Sequence, residues 1–116
     1  MNVVDFFKQI KSSPTERFGV IFFKGDNVVG ARILSDGNER GVVFTKSAVV
    51  NAARELGAEG MTLVHNHPTG DIRPSVPDLE STYALSDHCK PLGIRLLDHL
   101  ILGNGGHYSF RANGVI

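Results

Sequence analysis

The chain alternates between two hydrophobic periods. Val3, Phe6, Phe7 and Ile10 recur at helical spacing and predict a short amphipathic helix, stopped by Pro14 in "KSSPT". "ERFGVIFFK" is dense in aromatic and β-branched residues and reads as a strand. "GDN" is a turn, with Gly25 and Asn27 able to take positive φ, and "VVGARILS" is the partner strand of a hairpin. After the loop "DGNERG", "GVVF" predicts a short third strand. In "TKSAVVNAAREL", Val49, Val50, Ala53 and Leu56 share a helical stripe, with Thr45 or Ser47 to cap its start and Gly57 just past its end. "MTLVHNH" is a strand and "PTGDIRPS" a loop. "VPDLESTYALSDHCK" is a helix with Leu79, Tyr83 and Ser86 or Leu85 inward, closed by Pro91 and Gly93. "IRLLDHLILG" is a strand, "NGG" a turn, and "HYSFRA" the last strand.

The predicted order is therefore α, β, β, β, α, β, α, β, β. Helices alternate with strands and hairpins stand at both ends, which argues an α/β fold with a mixed β-sheet flanked by helices on both faces. The 116 residues fit one domain, and a hydrophobic fraction of 41% suits a packed core. Twelve basic residues balance 12 acidic ones, so no electrostatic excess drives nucleic-acid binding. Cys89 is the only cysteine, which excludes an intramolecular disulfide and a thiolate cluster and leans towards a reducing, cytoplasmic setting. The N-terminus lacks the basic start and apolar run of a signal peptide. No stretch approaches the roughly 18–20 apolar residues of a membrane span.

The candidate chemistry lies in "LVHNHPTGDIRPSVPDLE", Leu63 to Glu80. Successive strand side chains point to opposite faces, so His65 and His67 project together and Asn66 projects the other way. They stand at the C-terminal end of a strand that follows a helix, where open α/β sheets place their ligands. Two imidazoles one strand repeat apart can share one zinc ion at about 2.0–2.1 Å. Asp78, in the first turn of the next helix, is placed to be a third ligand. Two histidines, a carboxylate and an open fourth position describe a catalytic rather than a structural zinc site, in which the metal lowers the pKa of its water to around 7. Each residue also has a structural reading. A lone H-x-H is commonly a half-exposed polar pair. Asp78 favours the helix dipole by its position alone, and Ser75-x-x-Asp78 has the form of a capping box.

His65-Asn66-His67, Ser75 and Asp78 match H-x-H-x(7)-S-x-x-D without a gap, and this resembles the JAMM signature of the JAB/MPN+ metalloproteases. "HNHPTGDIRPSVPD", "LGIRLLDHLILGNGGHYSFRANGVI" and the opening "ERFGVIFFKGDNVV" are similar to the RadC branch over nearly the whole chain. The resemblance implies a JAB/MPN fold, a cytidine-deaminase-like three-layer αβα sheet. It implies one zinc held by His65, His67 and Asp78, with Glu16 as general base and Ser75 stabilising the oxyanion or orienting water. Glu39, Glu55 and Glu59 compete for the role of Glu16, but Glu39 sits in a loop and the other two in a helical pattern. Thr69 departs from the serine usual in RadC proteins, and the expectation is one domain over 1–116 without their N-terminal helix-hairpin-helix region.

The leading expectation is a zinc-dependent peptidase or isopeptidase acting on a peptide or ubiquitin-like protein, with oligomeric state open. The alternative is a DNA-repair accessory or interaction module, although the chain has no basic excess to carry it. Zinc deamination fails because it needs a Cys-x-x-Cys pair. Outside the signature, Asp98 interrupts the row Ile94, Leu96, Leu100, Leu102, which predicts a structural hydrogen-bonding role to backbone or Arg32, with a bond to a ligand histidine as the lesser alternative, or else a twist in the strand. His99 and His107 read as ordinary strand histidines, and Cys89 as a small packing residue.

Overall fold

The computed structural model describes residues 1–36 and 44–116. Among these residues nine elements follow one another: α1 (Val3–Lys11), β1 (Arg17–Lys24), β2 (Asn27–Asp36), α2 (Lys46–Glu55), β3 (Gly60–Asn66), α3 (Val76–Cys89), a 3-10 turn (Lys90–Leu92), β4 (Arg95–Gly103) and β5 (Gly106–Ser109). The strand expected over 41–44 lies, apart from Phe44, outside the described residues. The described strands form one sheet in the order β2-β1-β3-β4-β5, with β3 and β4 parallel and the other pairs antiparallel. The β3–α3–β4 crossover supplies the parallel pair, the two terminal hairpins supply β1–β2 and β4–β5, and β1 pairs with β3 across the longer connection through β2 and α2.

Burial divides into two layers. On one face, Phe18, Val20 and Phe22 of β1 and Met61 and Leu63 of β3 pack with Val49 and Ala53 of α2 and with Leu85 and Cys89 of α3. On the other, Ile21, Ala31, Val64 and Leu102 receive Phe6 and Ile10 of α1. The architecture is thus α/β/α in three layers, consistent with the JAB/MPN fold. The central strand β3 is buried along its whole length. Cys89 packs in the core as expected, and burial pushes its thiol pKa up.

The helix ends follow local chemistry. Asn2 caps α1, Thr45 caps α2 and Ser75 caps α3, each side chain accepting from the N–H three residues on. Gly57 follows α2 at φ 65, the left-handed conformation expected there. On α3 the inward stripe is Thr82, Leu85 and Cys89; Tyr83 instead faces solvent at 47% exposure and donates its hydroxyl to Val115 O. The inward polar positions, Asp78 and Thr82, are satisfied by hydrogen bonds, so apolar periodicity alone misplaces the stripe by one residue. The last strand stops at Ser109, and Phe110 beyond it is fully buried.

One irregularity in β4 reorders the sheet. Met61 pairs with Leu96 but Thr62 pairs with Asp98, so Leu97 is an extra residue. A bulge of this kind inverts which face later residues occupy. Leu96 lies on the α2/α3 side, whereas Leu102, of the same parity, lies on the α1 side.

Helix α1 approaches the sheet over Gly19. A Cβ there would stand 2.5 Å from Phe6 Cε2 and 2.9 Å from the Arg32 carbonyl oxygen. Gly19→Ala should lower stability by about 1–3 kcal/mol through overpacking, read as a shift in the urea midpoint with an unchanged slope.

Candidate metal centre

Strand pairing assembles the centre from distant segments. Phe18 pairs with His65 in the antiparallel β1–β3 ladder. Continuing that register by two residues sets Glu16 opposite His67, and the Glu16 Oε1 to His67 Nε2 distance is 3.8 Å. Asn66 points to the opposite face, as alternation requires, and is 2% exposed. Its Oδ1 accepts from Arg17 N at 2.7 Å, and its Nδ2 donates to the carbonyls of Ser13 and Thr15 at 3.1 Å each. The carboxamide therefore clasps the backbone on both sides of Glu16. Sequence reasoning placed Asn66 on the far face but assigned it no task; the strand parity that separated it from the histidines was the available signal.

The loop after β3 returns the chain to the same place. Ser75 and Asp78 form a full capping box: Asp78 N–H donates to Ser75 Oγ at 3.1 Å, and Ser75 N–H donates to Asp78 Oδ2 at 2.9 Å. The same carboxylate faces the histidines, with Oδ1 3.5 Å from His65 Nε2 and Oδ2 3.3 Å from His67 Nε2. The two imidazole Nε2 atoms are 3.0 Å apart. One ligand atom from each of His65, His67 and Asp78 lies within 4.8 Å of the others, a group that could hold a metal ion. His67 Nδ1 lies 2.7 Å from the Asp71 carbonyl oxygen. A carbonyl only accepts, so Nδ1 carries the hydrogen and the neutral ring presents an Nε2 lone pair. That lone pair, a second imidazole nitrogen and a carboxylate converge, a donor set that could hold a divalent cation.

Electrostatics agree with a place for positive charge. The Asp78 carboxylate raises the His67 pKa by hydrogen bonding; burial opposes this, and the Asp71 carbonyl and Glu16 add to it. Burial opposes ionisation of Asp78, but hydrogen bonds from His65, His67 and the Ser75 N–H outweigh it and hold the carboxyl well below the usual carboxylate range. At the rim Arg73 pairs with Asp71 at 2.8 Å and depresses its pKa to about 2. The centre opens into a cleft of about 620 Å³ whose walls include Glu16, Phe18, Phe44, Ser75 and Ser81. Phe18 and Phe44 stack there at 4.3 Å between centroids.

Glu55 pairs with Arg32 at 2.7 Å, and Glu59 is exposed just before β3, at the end opposite the histidines. Glu39 lies outside the described residues. Asp98 does bond backbone, accepting from His99 N at 2.7 Å and Arg111 N at 3.0 Å, and it accepts the Ser109 hydroxyl at 2.6 Å; Arg32 is not its partner. His107 is an exposed strand residue, as expected.

His99 corrects the sequence reading. It is 2% exposed, and its Nε2 lies 2.7 Å from His65 Nδ1. Its Nδ1 lies 2.7 Å from Thr82 Oγ1, and its ring stacks on Phe110 at 4.4 Å. The bulge at Leu97 carries it to the face of His65. Burial, with His65 adding to it, pushes its pKa well below the ordinary value and keeps the ring neutral.

Fold and site together define a three-layer α/β domain with two histidines and a carboxylate that could hold a metal ion at the end of its central strand. The chain belongs to the RadC-like JAB domain family, whose model matches residues 1–115. Curated relatives include a UPF0758 protein of Rhodobacter capsulatus, 39% identical over 107 residues, covering 89% of this chain and 49% of the relative. Another, from Pelobacter propionicus, is 36% identical over 117 residues, covering 98% and 51%. The chain thus spans about half the length of the curated relatives it matches. Among the described residues no helix is long and apolar enough to cross a membrane.

Because the His67 pKa is raised from 6.5 in the fold, the stability linked to it is fully present below pH 6.5 and is lost as pH rises through the folded value. His99, shifted downward, acts oppositely and loses stability as pH falls below 6.5. Comparison with His67→Ala isolates the first effect. In metal-free protein, the difference in unfolding free energy between the two chains should shrink from about pH 6 to about pH 8, by urea titration at each pH. A difference that stays constant contradicts the assigned geometry.

Proposed function

We propose that the domain is a zinc-dependent peptidase or isopeptidase of the JAMM type. The observation that carries this reading is the convergence of His65 Nε2, His67 Nε2 and the Asp78 carboxylate, with a separate carboxylate, Glu16, beside them at 3.8 Å from His67. A zinc ion held by His65, His67 and Asp78 would supply Lewis acidity and a water of lowered pKa. Glu16 then has the place of the general base: its carboxylate takes a proton from the attacking water and returns it to the leaving amine nitrogen. The Asn66 clasp orients it by holding Thr15 O and Arg17 N. Ser75 Oγ accepts the Asp78 N–H, which leaves its own hydroxyl hydrogen to donate to the developing oxyanion. Asp78 orders the start of α3 while offering its carboxylate to the centre.

The open cleft favours an extended peptide or the tail of a ubiquitin-like protein over a small enclosed ligand. The balance of 12 basic and 12 acidic residues gives no electrostatic excess to favour nucleic acid as the substrate.

Purified protein should carry about one zinc per chain by elemental analysis. His65→Ala and Asp78→Ala should each remove it. Glu16→Gln should keep the metal but lose at least ~100-fold in hydrolysis of peptide or isopeptide-linked substrates. Full metal content in both ligand variants would overturn the assignment.

A further inference from the structure

Behind the metal-binding group runs a chain of short hydrogen bonds that the chemistry above does not use. His65 Nδ1 meets His99 Nε2 at 2.7 Å, His99 Nδ1 meets Thr82 Oγ1 at 2.7 Å, and Thr82 Oγ1 donates to the Asp78 carbonyl at 2.6 Å. We infer that Thr82 and His99 are positioning residues which select the His65 tautomer able to bind metal. The inference rests on the reading of His65, His67 and Asp78 as a metal site.

The direction of the chain follows from its last member. A carbonyl oxygen has no proton, so Thr82 must donate to Asp78 O. The hydroxyl then has only lone pairs left for His99, and His99 Nδ1 must carry the hydrogen. A neutral His99 consequently presents an unprotonated Nε2, which only accepts. His65 Nδ1 must donate to it, and the neutral His65 ring keeps its lone pair on Nε2, the atom facing His67 and Asp78. Reversing any link sets two donors or two acceptors against each other at 2.7 Å in a site that is almost wholly buried. The stacked Phe110 ring holds the plane of His99 and so preserves the alignment.

His67 reaches the same tautomer by a shorter route, through the Asp71 carbonyl. The difference follows from depth. His67 lies in the loop side of the site and finds backbone within one turn, whereas His65 lies inside the sheet, where backbone carbonyls are already paired. A buried histidine and a threonine carry the effect of a helix carbonyl across to it. Asp78 thereby acts twice, with its carboxylate in front of the metal group and its carbonyl behind. Outer partners of this kind commonly change metal affinity by 10- to 100-fold when removed.

The test uses the whole chain with zinc or cobalt as the probe. In metal-free wild type at about pH 8.5, well above the ordinary imidazole value of about 6.5, nitrogen-15 spectra of the histidine side chains should show His65 and His99 both as Nδ1–H tautomers. Thr82→Val should weaken zinc binding about 10- to 100-fold by chelator competition, while Thr82→Ser restores it to within a few-fold. His99→Phe keeps a ring to stack on Phe110, removes the acceptor, and should weaken binding similarly. The melting temperature of each metal-free variant separates this from simple loss of packing, because a packing role would move the melting temperature of Thr82→Val and leave its zinc affinity alone. Wild-type affinity in both Thr82→Val and His99→Phe, or His65 found as the Nε2–H tautomer in wild type, would overturn the inference. Zinc failing to bind the wild type at all would instead sink the metal-site reading, with the tautomer result still deciding the chain's direction.

Discussion

The antiparallel pairing of β1 with β3 is the constraint from which the rest of the site follows. It brings the beginning of one strand to the end of the other, so that a residue near position 16 and a residue near position 67 must be neighbours. The pairing also aligns Asn66 with the peptide groups around Glu16 on the far side of the sheet. With β3 central and wholly buried, its register is held by apolar contacts on two faces, and a slip by one residue would turn both histidines away from the cleft. The geometry of the candidate site is a by-product of strand pairing that hydrophobic burial already requires.

Asp78 joins that sheet to helix α3. One side chain completes a helix cap and faces two imidazoles, while its own carbonyl receives Thr82. A cap and a metal ligand are usually treated as rival explanations of such an aspartate. In this fold they are compatible, because a carboxylate has two oxygens and several lone pairs. Ser75 is in the same position: it is plainly the N-cap, and capping occupies only the acceptor side of its hydroxyl. The structural reading of each residue therefore describes how the site is held in place.

Much of this was legible in the residues. Helix and strand periods located the described elements to within a few positions, and alternation along β3 separated His65 and His67 from Asn66. The spacing from His67 to Ser75 and Asp78 pointed to one centre, which the structure assembles. What could not be read was parity within β4. A strand buried on both faces is apolar on both faces, so "IRLLDHLILG" contains no alternation to reveal an extra residue. His99 consequently looked like any strand histidine. The inward stripe of α3 was misread for a related reason: the positions that face the sheet near the site are polar and hydrogen-bonded, and a search for apolar spacing passes over them. The short strand expected near Phe44 falls outside the described residues, although Phe44 itself stacks on Phe18 at the wall of the cleft.

The bulge at Leu97 gives β4 something like a reading frame. Upstream of it, even-numbered residues look towards α2 and α3; downstream, odd-numbered ones do. Removing that single residue would leave a strand of nearly the same composition yet exchange inside for outside along everything that follows. Asp98, bonded to the backbone of His99 and Arg111 just after the bulge, sits where the frame changes. A polar anchor set in a greasy strand thus marks the point at which the chain counts one residue twice, and the imidazole behind His65 depends on that count.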